Sequence, residues 1–154
     1  MIKSFSLQPL MNLAQHRNDS ATRKLGQLNQ QQQNAQQKLD TLLEYRKDYQ
    51  TRLQEASRNG MDQAELRNFQ QFINKLDEAI NQQTRLVEHS KISTQAGRNE
   101  FDTTQCKLKS FDTLQQRHIE EQKKVVKQSE QKALDEHTGR FVAYRMMNAE
   151  DQNN

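Results

Sequence analysis

The side chains here that could ligate a metal or attack a substrate are four histidines, one cysteine and 20 carboxylates. A transition-metal centre needs histidines and thiolates gathered at short spacings. His16, His89, His118 and His137 are instead 73, 29 and 19 residues apart. Cys106 has no second cysteine to pair with, and nothing around it argues for an activated thiolate. A lone thiol fits a reducing cytosol. The carboxylates stand three or four residues from Lys or Arg, the spacing of solvated pairs on a helix face. With no phosphate loop, no Gly-rich turn and no nucleophile elbow, the reading is a protein that is not an enzyme and holds no metal or cofactor.

Recognition chemistry is better represented. Leu42, Tyr45 and Tyr49 follow one another at three and four residues, and Phe72, Leu76 and Ala79 at four and three. On helices each triplet makes one stripe, and aromatic side chains in such a stripe carry a disproportionate share of binding energy at protein interfaces. The plainer alternative is a helix-packing seam that widens locally. A second group is basic: Arg17, Arg23 and Lys24, with Lys123, Lys124 and Lys127 far along the chain. These suit electrostatic engagement of an acidic ring or channel, or are ordinary solvated charges interleaved with Glu120, Glu121 and Glu130. The net charge of +3 is spread thinly, without the basic footprint that nucleic acid or anionic lipid requires. No window approaches the ~18 apolar residues of a membrane span, and the N-terminus has no unbroken apolar run, so a soluble cytoplasmic protein without direct membrane insertion is expected.

The elements that must carry these residues are long helices. Only 32% of the side chains are hydrophobic, too few for a globular core of this length, and 24 Gln with 12 Asn point to either disorder or a thin helical object. Heptads decide for the second. Counting in sevens from Leu7 gives Leu7, Ala14, Ala21, Leu28, Ala35, Leu42, Tyr49 and Ala56 without a miss. The companion row runs Met11, Asn18, Leu25, Gln32, Leu39, Arg46 and Leu53. This 3.5-residue period is that of a coiled coil, and it passes unbroken through the Gln-rich run at 30–37.

Helix one should occupy about 7–58 and the tip about 59–62, where Gly60 suits a left-handed C-terminal position. Asp62 and Glu65 then form a capping box, with Met61 and Leu66 as its hydrophobic staple. Helix two should occupy about 63–140, followed by a tail at about 141–154. Its rows are Leu66, Ile73, Ile80, Val87, Thr94, Phe101, Leu108 and Phe69, Leu76, Gln83, Ser90, Gly97, Thr104, Phe111. A short break between long amphipathic helices makes them antiparallel, so residue i faces about 120 minus i, given a tip near residue 60. The two triplets thereby come to the same height. Small and polar residues from Gln83 to Thr104 should let the helices approach closely there, with little hydrophobic gain. The fold class is all-α: a long antiparallel two-helix coiled-coil hairpin, a single rod over 1–154, with a projecting C-terminal helix beyond about residue 116.

Three segments carry a family resemblance. Leu39-Asp40-Thr41-Leu42-Leu43-Glu44-Tyr45-Arg46-Lys47-Asp48-Tyr49, then Phe69-Gln70-Gln71-Phe72-Ile73-Asn74-Lys75-Leu76-Asp77-Glu78-Ala79-Ile80, and the distal Lys107-Leu108-Lys109-Ser110-Phe111-Asp112-Thr113-Leu114 resemble the flagellar export protein FliJ family. The L-x-x-Y-x-x-x-Y and F-x-x-x-L-x-x-A patterns are not heptad requirements, and the likeness spans nearly the whole chain. It implies a rod similar to the central stalk of rotary ATPases, with its open end in the hexameric export ATPase FliI, promoting assembly and hydrolysis. It also implies contact with the export gate protein FlhA, association with export chaperones, and a peripheral place at the cytoplasmic face of the inner membrane. The family's gate-binding surface maps onto Leu42, Tyr45, Tyr49, Phe72, Leu76 and Ala79, with Lys38 and Gln83 at its margins. For the ATPase contact, Arg17, Arg23, Lys24, Lys123, Lys124 and Lys127 stand on charge and position alone. The alternatives are the equivalent stalk of an injectisome and a coiled-coil export chaperone or holdase.

Overall fold

The computed structural model describes residues 6–153. It contains two helices, α1 (Gln8–Arg58) and α2 (Gln63–Gln152), and no strand among the described residues. The chain divides into two compact units, one Asn12–Leu108 and the other made of the residues through Met11 with Lys109–Asn154.

In the Asn12–Leu108 unit α1 and α2 pack antiparallel. The turn depends on Gly60, whose φ of 87° lies in the left-handed region that side chains with a Cβ disfavour. Asp62 stands at the N-cap of α2, its carbonyl accepting the Leu66 N–H at 3.1 Å. The expected capping box does not close: among the described residues the Asp62 and Glu65 carboxylates make no hydrogen bond. Both are exposed, so water already satisfies them and little drives the reciprocal contact.

The rows read from the sequence are the seam. From Ala14 to Ala56 every α1 row position is withdrawn from solvent, including Asn18, Gln32 and Arg46; on α2 the same holds from Phe69 to Leu108. Leu66 sits at the edge, 36% exposed. The core is a line rather than a volume: Ala14, Ala21, Leu76 and Val87 are its buried apolar members, joined by Gln83, Thr94 and Gly97. Cross-helix bonds fix the register. Asn18 Nδ2 donates to Thr104 Oγ1 at 3.2 Å, Thr94 Oγ1 to the Leu28 carbonyl at 3.3 Å, and Gln83 Nε2 to the Ala35 carbonyl at 2.9 Å. The facing rule puts residue 102 opposite Asn18, two positions from the partner found. Close approach occurs where the small residues predicted it: a Cβ added to Gly97 would lie 2.6 Å from Leu28 Cδ1.

The buried carboxamide yields a stability prediction. Gln83→Leu removes one hydrogen bond worth about 1 kcal/mol and adds an apolar side chain worth about 2 kcal/mol when buried. The Ala35 carbonyl loses only this cross-helix donor, since its place in α1 is unchanged. A urea titration should show a gain of about 1 kcal/mol. A loss would mean that the Gln83 bond outweighs apolar transfer.

In the other unit, Met11 N donates to the Leu7 carbonyl at 2.9 Å. Leu7, Met11, Phe111, Gln115 and His118 are half-buried, and every residue from Ile119 to Asn153 is exposed. The exposed set includes Val125, Val126, Leu134, Phe141, Tyr144, Met146 and Met147. The helix was expected to give way to a tail at 141, yet α2 continues to Gln152. Gly139 keeps negative φ, and the segment after it has no Pro or Gly and holds two each of Ala, Arg and Met, all good helix formers.

Candidate functional site

The aromatic stripes meet across the hairpin at Tyr49. Its ring stacks on Phe72, with 4.2 Å between centroids and 27° between planes, and tilts against Phe69 at 5.7 Å and 57°. Such pairs add about 0.5–1.5 kcal/mol beyond their buried area. Arg52, three residues on from Tyr49, brings its guanidinium within 5.9 Å of the same ring.

The six residues of the two triplets do not share one environment. Leu76 is buried, Leu42, Tyr49 and Ala79 are half-buried, and Tyr45 and Phe72 face water at 57% and 40% exposure. The seam does widen, through Tyr49 on Phe72, yet aromatic surface beyond the needs of packing remains in solvent. Tyr45, Phe72 and Ala79 flank the seam on one side. That side carries two open grooves. One, of about 1080 Å³, includes Leu42, Ala79, Lys38 and Gln83 in its lining; the other, of about 320 Å³, includes Tyr49, Phe69, Phe72 and Lys75.

Leu86 also lines the larger groove and is 57% exposed. It escaped the sequence reading because it lies outside both heptad rows. The available signal was a third row, Phe72, Ala79 and Leu86, at seven-residue intervals beside the seam.

The other flank differs in charge. Arg46, a seam position, turns its guanidinium outward to pair with Asp77. The hydrogen bond to Asp77, and after it the charge of that carboxylate, raises the Arg46 pKa above its ordinary value.

The six basic residues fall into the two units. Arg17, Arg23 and Lys24 belong to Asn12–Leu108, and Lys123, Lys124 and Lys127 to the other. Lys24 pairs with Glu100 at 3.4 Å, both well exposed, so solvent screens the contact. Arg23 Nε donates to the Asp19 carbonyl at 3.5 Å. Lys123 and Lys127 border a shallow apolar surface with Ile119 and Val126. Among the described residues no group of three or more His, Cys, Asp and Glu is placed to hold a metal ion, and no helix is long and apolar enough to cross a membrane.

The chain is 27% identical to the "Flagellar FliJ protein" of Salmonella typhi over 136 residues, which is 88% of this chain and 92% of that protein. It is 26% identical to the "Flagellar FliJ protein" of Escherichia coli strain K12 over the same length and shares. The family model described as "FliJ: Flagellar FliJ protein" matches residues 3–146, nearly the whole chain. The chain therefore belongs to the flagellar FliJ protein family.

Proposed function

We propose that the protein is a non-catalytic component of flagellar type III export. It binds the export ATPase FliI, promotes its assembly and hydrolysis, and couples it to the export gate protein FlhA. The observation that carries the gate contact is the solvent-facing pair Tyr45 and Phe72, beside a seam that already has its own aromatic packing in Tyr49 and Phe69. Leu42, Tyr49, Leu76 and Ala79 support that pair from below. Arg17, Arg23, Lys24, Lys123, Lys124 and Lys127 supply cations for the ATPase contact. Attachment at the cytoplasmic face of the inner membrane then comes through these partners, with export chaperones as further ones.

A holdase reading draws support from a different observation, the exposed apolar side chains between Ile119 and Met147. Capture separates the two. The immobilised protein should retain purified FliI and FlhA and leave unfolded export substrate in solution. Retention of the unfolded substrate with neither FliI nor FlhA bound would favour the holdase.

A further inference from the structure

We propose that the face bearing Tyr45, Phe72, Ala79 and Leu86 receives an acidic amphipathic helix of a protein partner, its apolar stripe on these side chains and its carboxylates on Lys38 and Lys75. The inference builds on the reading of this face as the gate-binding surface and specifies the chemistry of what binds there.

Charge is the first argument. Although 20 of the 154 residues are Asp or Glu, none lines either groove. The basic side chains in those linings are Lys38, Lys75 and His89. On the other flank the seam cation Arg46 is paired with Asp77, and elsewhere Lys24 is paired with Glu100. Lys38 and Lys75 make no ion pair among the described residues. Two unpaired cations lining grooves free of carboxylates attract an acidic partner and repel a basic one.

Shape and spacing are the second argument. Both grooves are open, so they fit a surface-lying segment rather than an enclosed small molecule. Phe72, Ala79 and Leu86 recur every seven residues, about 10.5 Å apart along α2, the repeat with which a third helix would present its own apolar stripe. Gln31, Gln37 and Gln82 beside Lys38 add amide donors for carboxylate oxygens.

The test is calorimetric titration of the full chain with the soluble cytoplasmic part of FlhA at low and high salt. Two helical peptides with one apolar stripe, flanked by Glu in one and by Lys in the other, serve as further probes. Lys38 and Lys75 are exposed, so the double variant Lys38→Glu/Lys75→Glu should keep its helicity by circular dichroism. The expected result is tighter binding of the Glu peptide than of the Lys peptide, FlhA binding that weakens with salt, and a loss of about tenfold or more for both FlhA and the Glu peptide in the double variant. Leu86→Ala should cost about fivefold, and Leu43→Ala on the other flank nothing. FlhA binding that is indifferent to charge reversal overturns the inference and leaves the gate reading intact. If FlhA does not bind at all, the gate reading fails and the peptides decide: selective, reversal-sensitive binding of the Glu peptide upholds the acidic-helix surface, and equal or absent binding of the two overturns it.

Discussion

Tyr45→Ala combined with Phe72→Ala is expected to weaken binding to FlhA by about 100-fold or more, with the hairpin still folded. Central aromatic anchors cost about 2 kcal/mol or more each on truncation, roughly 30-fold apiece, and neighbouring anchors do not add simply. Both residues spend part of their surface on water in the free protein, so their removal acts on binding more than on folding. Phe72 is the less clean of the two because it stacks on Tyr49; its loss should lower stability by about 1 kcal/mol. Truncating Tyr49 and Leu76 alongside them is the obvious extension, since all four lie in the two triplets. The burial of Leu76 and the half-burial of Tyr49 argue against that, since a variant lacking both loses the seam itself. Calorimetry for affinity and a thermal melt for folding separate the effects. A loss in affinity below about threefold in a folded double variant contradicts the assignment of Tyr45 and Phe72 as binding anchors.

Gly97→Leu is expected to be the most damaging single change in the seam for stability. Even the first added carbon would stand 2.6 Å from Leu28 Cδ1, with Leu25 Cδ1 at 3.8 Å behind it. The end of Leu28 could turn aside for a methyl group, and alanine in place of glycine gains about 1 kcal/mol of helix propensity, so Gly97→Ala should be close to neutral. A leucine has no such escape. It forces the helices apart between two cross-helix bonds, Thr94 to Leu28 and Asn18 to Thr104, at a cost of about 2–3 kcal/mol. For a unit of this size that lowers Tm by about 10–20 °C. Leu28→Ala in the same chain should restore part of the loss, because the space it vacates is where the new side chain must go. Stability unchanged in Gly97→Leu would show that the helices do not approach at this point as described.

Most of the hairpin was legible because its seam obeys one period. Asn18 and Arg46 looked like interruptions in a row of apolar residues, and both occupy their seam positions while reaching outward or across for a polar partner. The tip was legible through Gly60, since positive φ is a requirement that glycine meets best. The capping box was not, because the motif states which bonds can form and leaves out how little exposed carboxylates gain from forming them. α2 runs about 12 residues past the end expected for it, because nothing near Gly139 stops a helix: no proline follows and no turn needs the glycine. For the candidate site, spacing brought the two aromatic triplets to one height. Spacing also put Tyr49 and Leu76 in the seam rows and left Tyr45 and Phe72 outside them; it could not say how much of those two rings stays in water, as that depends on how far each leans from its row. Leu86 is harder to read because its row, Phe72, Ala79 and Leu86, is only three members long, and the groove next to it is what gives that row weight.

As proposed, the protein activates the export ATPase by binding to it. The most direct test is the FliI hydrolysis rate, followed together with hexamer formation, as the protein is titrated in. Both should rise and saturate together, and the Tyr45→Ala/Phe72→Ala variant should stimulate as well as the unaltered chain if those two residues serve the gate contact as proposed. No rise in either rate or hexamer at saturating protein would contradict activation by binding.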